Sequence, residues 1–174
     1  MYKRQGYSLA NSVIEAFQAG DFKQSPKPSI TVHSTEIELG IENFMLSLGT
    51  LLGVIDSDPK FSLMPPFVRY LSEVAFIQIG DASITGIPGE LYPEIAVGGI
   101  ENPFGADYVM APQEVPHLRS QFSDKLNLMV NLANDSIGYI IPKSEWDEDA
   151  PWIYGEKEET YGEVVSLGPN TAPI

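Results

Sequence analysis

The sequence predicts an α+β fold, a mixed β-sheet with flanking helices, and three observations support this class. Short apolar strands end at turn residues, helix-type patterns occur beside them, and the two kinds of element do not alternate regularly. With 174 residues, of which 43% are hydrophobic and 20% charged, the chain is long enough for one domain with a real core.

The charge balance is strongly acidic, with 24 Asp and Glu against 10 Lys and Arg and a net charge of -14. Such a surface repels phosphate backbones, so we expect no nucleic acid partner. The absence of cysteine excludes a disulfide framework and any thiolate metal site. Because Gly, Pro or acids break every long apolar run, we also expect no transmembrane segment.

The first half of the chain predicts one helix and an irregular strand region. Residues 8–19 place Leu9, Val13 and Phe17 on one helical face. Residues 29–39 alternate between apolar and polar side chains, but the phase slips after Val32, which predicts a bulge or two short strands. Residues 42–55 are apolar and leave helix and strand both open.

The centre of the chain predicts a β-hairpin. Residues 73–79 and 82–87 are short apolar strands joined by Gly80-Asp81, a turn signal for antiparallel pairing. Residues 126–132 predict a third strand, which we expect in the same mixed sheet.

Glu90 follows the strand end at Pro88-Gly89 and has two interpretations. It could lie in the first turn of a helix, where the free amides stabilise a carboxylate. It could instead project into the cleft at the strand ends as a metal ligand or a base. Spacing alone favours the helix start, because acids are common in first turns.

Tyr139 is the second candidate, since it follows Gly138 inside the apolar run 137–141. Taken alone, it is more typical of a core tyrosine whose hydroxyl meets a backbone carbonyl. The histidines, His33 and His117, form no H-x-H or H-E-x-x-H pattern, so neither predicts a zinc site by itself.

Three blocks of sequence together resemble the neutral/alkaline non-lysosomal ceramidase family, in particular the C-terminal part of the catalytic domain of compact bacterial members. The blocks, in order along the chain, are IGDASITGIPGELYPEI (79–95), NLANDSIGYIIPKSEWD (131–147) and YGEVVSLGPNTAPI (161–174). The resemblance implies a zinc-dependent amidohydrolase that cuts the N-acyl amide bond of ceramide, or of a related lipid amide, through zinc-activated water. The family holds its zinc with two histidines, a glutamate and a tyrosine.

Carried onto this chain, the resemblance implies that Glu90 and Tyr139 are the metal ligands. The histidine ligands are expected upstream, since neither His33 nor His117 matches the histidine blocks of the family, and its serine-bearing segment is also absent, so no catalytic residue is identified here. Residues 6–174 are therefore expected to be a C-terminal fragment of a larger catalytic domain that is inactive alone. A secreted or periplasmic location is expected from the same resemblance.

Two further hypotheses complete the sequence-based picture. Residues 1–5, Met-Tyr-Lys-Arg-Gln, match the translation of a transposon adapter used in shotgun sequencing, so we expect them to be a library scar rather than a natural basic N-terminus. The alternative to an enzyme is a non-catalytic binding or structural domain that keeps the fold without a complete metal site.

Overall fold

The structure is a computed structural model that describes residues 2–20, 27–55, 58–113, 116–123 and 126–172. Short 3-10 helices cover Leu118–Gln121, Lys143–Glu145 and Ile153–Gly155. The α-helices and β-strands of the described residues are, in chain order, α1 Tyr2–Ala19, β1 Ile30–Gly40, α2 Phe44–Leu51, β2 Lys60–Phe61, β3 Val68–Ile79, β4 Ala82–Gly86, β5 Glu90–Leu91, α3 Pro93–Val97, β6 Leu126–Val130, β7 Tyr139–Ile140 and α4 Tyr161–Val164.

The main sheet is mixed, which confirms the α+β class. Its strand order is β1-β3-β4-β6, and β2 pairs with one end of β3. Strands β3 and β4 form the predicted antiparallel hairpin, closed with Ile79 opposite Ala82 and with Gly80 at a φ of 58°. Strand β6 joins the same sheet parallel to β4, as its sequence position after a long connection allows.

The predicted interruption of the first strand is wrong. Strand β1 pairs with β3 without a break, from Ile30 opposite Ile79 to Gly40 opposite Arg69. Most of β1 is exposed on both faces, so no buried core imposes a strict alternation on its side chains. The slip in apolar phase after Val32 therefore does not mark a bulge.

One face of the main sheet is apolar and open to solvent. Residues paired on neighbouring strands point to the same face. Ile30 and Leu126, at its two edges, remain 66% and 52% exposed. Two rows of paired residues run across this face: Ile30, Ile79, Ala82 and Leu126, and beside them Val32, Ile77, Ile84 and Leu128. We refer to these eight residues as the open sheet face.

The buried core lies beside the sheet rather than on the open sheet face. It surrounds a second, two-stranded sheet in which β5 and β7 run parallel. Helix α1 contributes no buried residue. Among the described residues, no helix combines the length and the apolar character needed to cross a membrane. The core residues come from several distant segments: Ile41, Val68, Ile87, Ile95, Ile137, Ile140, Leu167 and Ala172.

Candidate functional site

Glu90 lies in a strand, so the interpretation that spacing alone favoured, a helix start, is wrong. Helix α3 begins later, at Pro93, and its N-cap is Tyr92. Glu90 is the first residue of β5, and its backbone N–H donates to the carbonyl of Gly138 at 2.9 Å. The strand pairing, and not a helix dipole, therefore sets the direction of the Glu90 side chain.

Tyr139 lies directly beside Glu90, although 49 positions of sequence separate them. The two residues are register partners in the parallel β5–β7 pair, so their side chains leave the same face. The neighbouring Glu90 carboxylate, as a hydrogen-bond acceptor for the phenol, and then some burial raise the pKa of Tyr139. The Tyr139 side chain thus lies next to the Glu90 side chain across the strand pair.

Close backbone approaches bring the two strands together. A Cβ added at Gly89 would lie 2.6 Å from the Gly138 carbonyl oxygen, and one added at Gly138 would lie 1.6 Å from the Val165 carbonyl oxygen. On the other side of β7, Ser166 Oγ donates to the carbonyl of Tyr139 at 2.7 Å. Only glycine at positions 89 and 138 allows this approach.

Two further tyrosines fix the ring of Tyr139. Tyr92 packs edge-on against it with ring centroids 6.3 Å apart, and Tyr161 does so from another side at 6.0 Å. Burial, with the charges of Glu163 and Glu145 as lesser causes, raises the pKa of Tyr92 to about 12, so its hydroxyl stays protonated at neutral pH. Sequence reasoning missed Tyr92 and Tyr161, because their spacing gives no sign that they share one cluster.

A cavity of about 300 Å³ lies against Glu90. Most of its wall is apolar, with aliphatic side chains from the β1–α2 region and from the segments around β7 and α4. Polar groups on the wall include Glu90, Tyr70 and Thr50. The aliphatic lining residues are Ile41, Leu46, Ile55, Ile137, Val165 and Leu167.

Two buried acids lie behind the tyrosine cluster. Glu163 is 1% exposed and Asp147 is fully buried, and burial raises the pKa of both carboxyls. The Thr160 hydroxyl lies within hydrogen-bonding distance of the Glu163 carboxylate and of the Asp147 carbonyl. The backbone N–H of Ile153 donates to the Asp147 carboxylate at 3.0 Å. These contacts therefore join residues 147, 153, 160 and 163 within the C-terminal segment.

Within the described residues, neither histidine joins Glu90 in a group of potential metal ligands. His33 is exposed on β1, opposite Phe76. His117 caps the 3-10 helix at Leu118–Gln121, where its Nδ1 accepts from the N–H of Ser120 at 3.2 Å. Within the described ranges, no three residues of the types His, Cys, Asp and Glu are grouped so that they could hold a metal ion.

Searches against family models, curated proteins and solved structures found no match to this chain. The resemblance to the ceramidase family therefore rests on the three sequence blocks.

Proposed function

We propose that this chain is part of the catalytic domain of a zinc-dependent amidohydrolase similar to neutral ceramidase. Its substrate would be ceramide or a related lipid amide, cleaved at the N-acyl bond. The observation that carries this proposal is the register pairing of Glu90 and Tyr139, which places both side chains on one face of the β5–β7 pair, with Glu90 on the wall of a mostly apolar cavity. The family resemblance names the same two residues from sequence blocks that lie far apart along the chain.

The donor atoms of the pair suit zinc. A carboxylate and a phenol oxygen are both accepted zinc ligands, and two oxygens on one ion lie about 3 to 4 Å apart, which is close to hydrogen-bonding separation. Without a cation, the neighbouring Glu90 acceptor and then burial raise the pKa of Tyr139 above its ordinary value, so the phenol is protonated at neutral pH. A cation between them would offset the Glu90 charge and favour the phenolate, so metal binding should release a proton.

Each part of the site has a distinct role in this proposal. Glu90 and Tyr139 hold the ion, and their strand pairing orients them before the ion arrives. The aliphatic wall of the cavity would exclude water from a hydrocarbon chain of the substrate. When bound, zinc supplies a Lewis acid that polarises a carbonyl and brings the pKa of water towards neutrality.

The remainder of the catalytic domain is proposed to lie outside this sequence. Two protein ligands are fewer than the three that catalytic zinc sites use. The open sheet face supports the same idea, since contiguous exposed apolar surfaces of this kind mark contacts with further protein or another partner. We propose that upstream histidines complete the metal site, and that the whole enzyme is secreted or periplasmic.

The alternative is a binding or structural domain with the same fold and no catalysis. One observation favours it: the pairing of β5 with β7 brings Glu90 and Tyr139 together through backbone hydrogen bonds, so their arrangement does not depend on a metal. Paired histidine blocks in the upstream sequence would favour the enzyme, and their absence would favour the binding domain.

The test is the metal content and amidase activity of the protein that includes the upstream segment. We expect stoichiometric zinc and release of fatty acid from ceramide. Glu90→Gln and Tyr139→Phe should each lower kcat/KM by more than about 100-fold, because losing a ligand exceeds the 10- to 100-fold effect of outer residues.

Matched controls are available within the chain. Tyr7→Phe removes a hydroxyl from an exposed tyrosine of α1, and Glu36→Gln removes an exposed carboxylate on β1. Both should keep zinc and activity. Full zinc content and activity in Glu90→Gln and Tyr139→Phe would refute the assignment of the two ligands.

A further inference from the structure

The loop that leads into Tyr139 is tied to the main sheet through Asp135. The Tyr70 hydroxyl donates to one carboxylate oxygen of Asp135 at 3.0 Å, and the Ser72 hydroxyl donates to the other at 2.8 Å. Both donors come from β3, and Ser72 is buried. The backbone N–H of Ser136 also donates to Asp135, at 2.7 Å. Three donors thus fix one side chain from two directions.

The opposite side of the same loop contacts the turn before Glu90. The N–H of Ile137 donates to the Pro88 carbonyl at 2.9 Å, and the Gly138 carbonyl accepts from the N–H of Glu90 at the same distance. The loop therefore lies between β3 on one side and residues 88–90 on the other. There is no spare room, since even a Cβ at Gly89 would meet the Gly138 oxygen at 2.6 Å.

We propose that Asp135 is a positioning residue, which holds the 135–138 loop where Tyr139 pairs with Glu90. This inference rests on the proposed function, in which the pair provides two metal ligands. Asp135 touches neither the ion nor the substrate. It acts through the backbone: together with Asn134, whose amide donates to Glu73 of β3 at 2.9 Å, it ties the loop to β3, and a loop loosened there can shift against residues 88–90 and carry Tyr139 with it.

The position of the loop against residues 88–90 has a reporter that does not depend on metal or activity. The backbone N–H of Glu90 donates to the Gly138 carbonyl at 2.9 Å, so this amide exchanges its hydrogen with solvent only when the contact opens. A loop that shifts away from residues 88–90 opens this contact locally, whereas a loss of global stability also speeds exchange in the β3–β4 hairpin. Comparing the two rates separates positioning from a purely structural role.

The experiment measures hydrogen exchange of backbone amides in this chain by NMR, under native conditions and without metal. Asp135→Asn keeps the size of the side chain but removes its charge. We expect it to speed exchange of the Glu90 amide by about tenfold or more relative to amides of the β3–β4 hairpin. Asp81→Asn, a matched change in the exposed hairpin turn, should leave the exchange of the Glu90 amide unchanged.

Further variants decide the outcome even if Asp135→Asn does not fold. Tyr70→Phe and Ser72→Ala each remove one donor to Asp135, and both should speed exchange of the Glu90 amide by a smaller factor. If every folded variant keeps the wild-type exchange rate of this amide relative to the hairpin amides, Asp135 does not position Tyr139 and the inference is wrong. Failure of the proposed function would appear elsewhere, as zinc content unaffected by Tyr139→Phe in the protein with its upstream segment.

Discussion

Replacing Gly138 with alanine tests whether close backbone packing holds the Glu90–Tyr139 pair in place. Gly138 has a φ of 85°, in the left-handed region that L side chains rarely adopt. An added methyl would also lie 1.6 Å from the carbonyl oxygen of Val165. The substitution therefore combines backbone strain with a steric clash against the main chain, which cannot rotate away as a side chain could.

The expected loss of stability follows from these two contributions. An alanine in the left-handed region costs about 1 to 2 kcal/mol relative to glycine. Contacts with a Cβ below 3.0 Å are essentially not seen, so the Val165 carbonyl must retreat by more than about 1 Å, and such overpacking costs about 1 to 3 kcal/mol. We expect Gly138→Ala to lower the free energy of unfolding by about 3 kcal/mol in total.

Gly99→Ala is the matched control, because Gly99 has a similar φ of 94° and nothing within 4 Å of its added Cβ. It should lose only the strain contribution, about 1 kcal/mol. Urea unfolding followed by tryptophan fluorescence measures both variants, since Trp146 is 1% exposed in the folded chain. If the free energies of unfolding of the two variants differ by less than about 0.5 kcal/mol, the Val165 carbonyl does not pack closely against Gly138 and the reasoning is wrong.

Three further predictions concern burial, capping and activity. Burial raises the pKa of the Glu163 carboxyl above its unfolded value of 4.5, so the folded state binds the carboxyl proton more tightly than the unfolded state does. The stability that this proton contributes is fully present below pH 4.5 and is lost as the pH rises through the folded pKa. In Glu163→Gln the free energy of unfolding should therefore decrease less between pH 4.5 and neutrality than in the wild type. Urea unfolding at several pH values measures this difference, and an unchanged pH profile would contradict the prediction. Asn43→Ala should lower the free energy of unfolding by about 1 to 2 kcal/mol in the same assay, because the Asn43 side chain accepts from two amides at the start of α2 and donates to two carbonyls near α4. Asn43→Asp keeps the acceptor that caps α2 and should lose less. This chain by itself should release no fatty acid from ceramide above background in a chromatographic assay, and clear turnover would show that its two ligands suffice.

Local signals in the sequence determined the hairpin and several element positions. Gly80-Asp81 between two apolar runs specifies a tight turn, since glycine there adopts a positive φ without strain. The strand after Asp81 ends at Gly86, one residue before the predicted end at Ile87 and just ahead of the Pro88-Gly89 bend. These features depend on neighbours within a few residues, so composition and spacing are enough to find them.

The candidate site depended on contacts that no local pattern contains. Glu90 lies in a strand because the 131–140 segment pairs with it, and spacing alone had favoured a helix start. Likewise β1 is one continuous strand because β3 offers an unbroken partner, although its apolar phase slips. Pairing between segments 49 positions apart is a property of the whole fold, in which backbone hydrogen bonds outweigh local preference.

The sequence by itself thus determined the fold class, the hairpin and, through the family resemblance, which glutamate and which tyrosine to examine. Only the tertiary structure decided that Glu90 and Tyr139 are register partners, that Tyr92 and Tyr161 enclose the tyrosine ring, and that Asp135 ties their loop to β3. The physical reason is that a hairpin forms from adjacent residues, whereas a site formed from parallel strands exists only after distant segments have packed together.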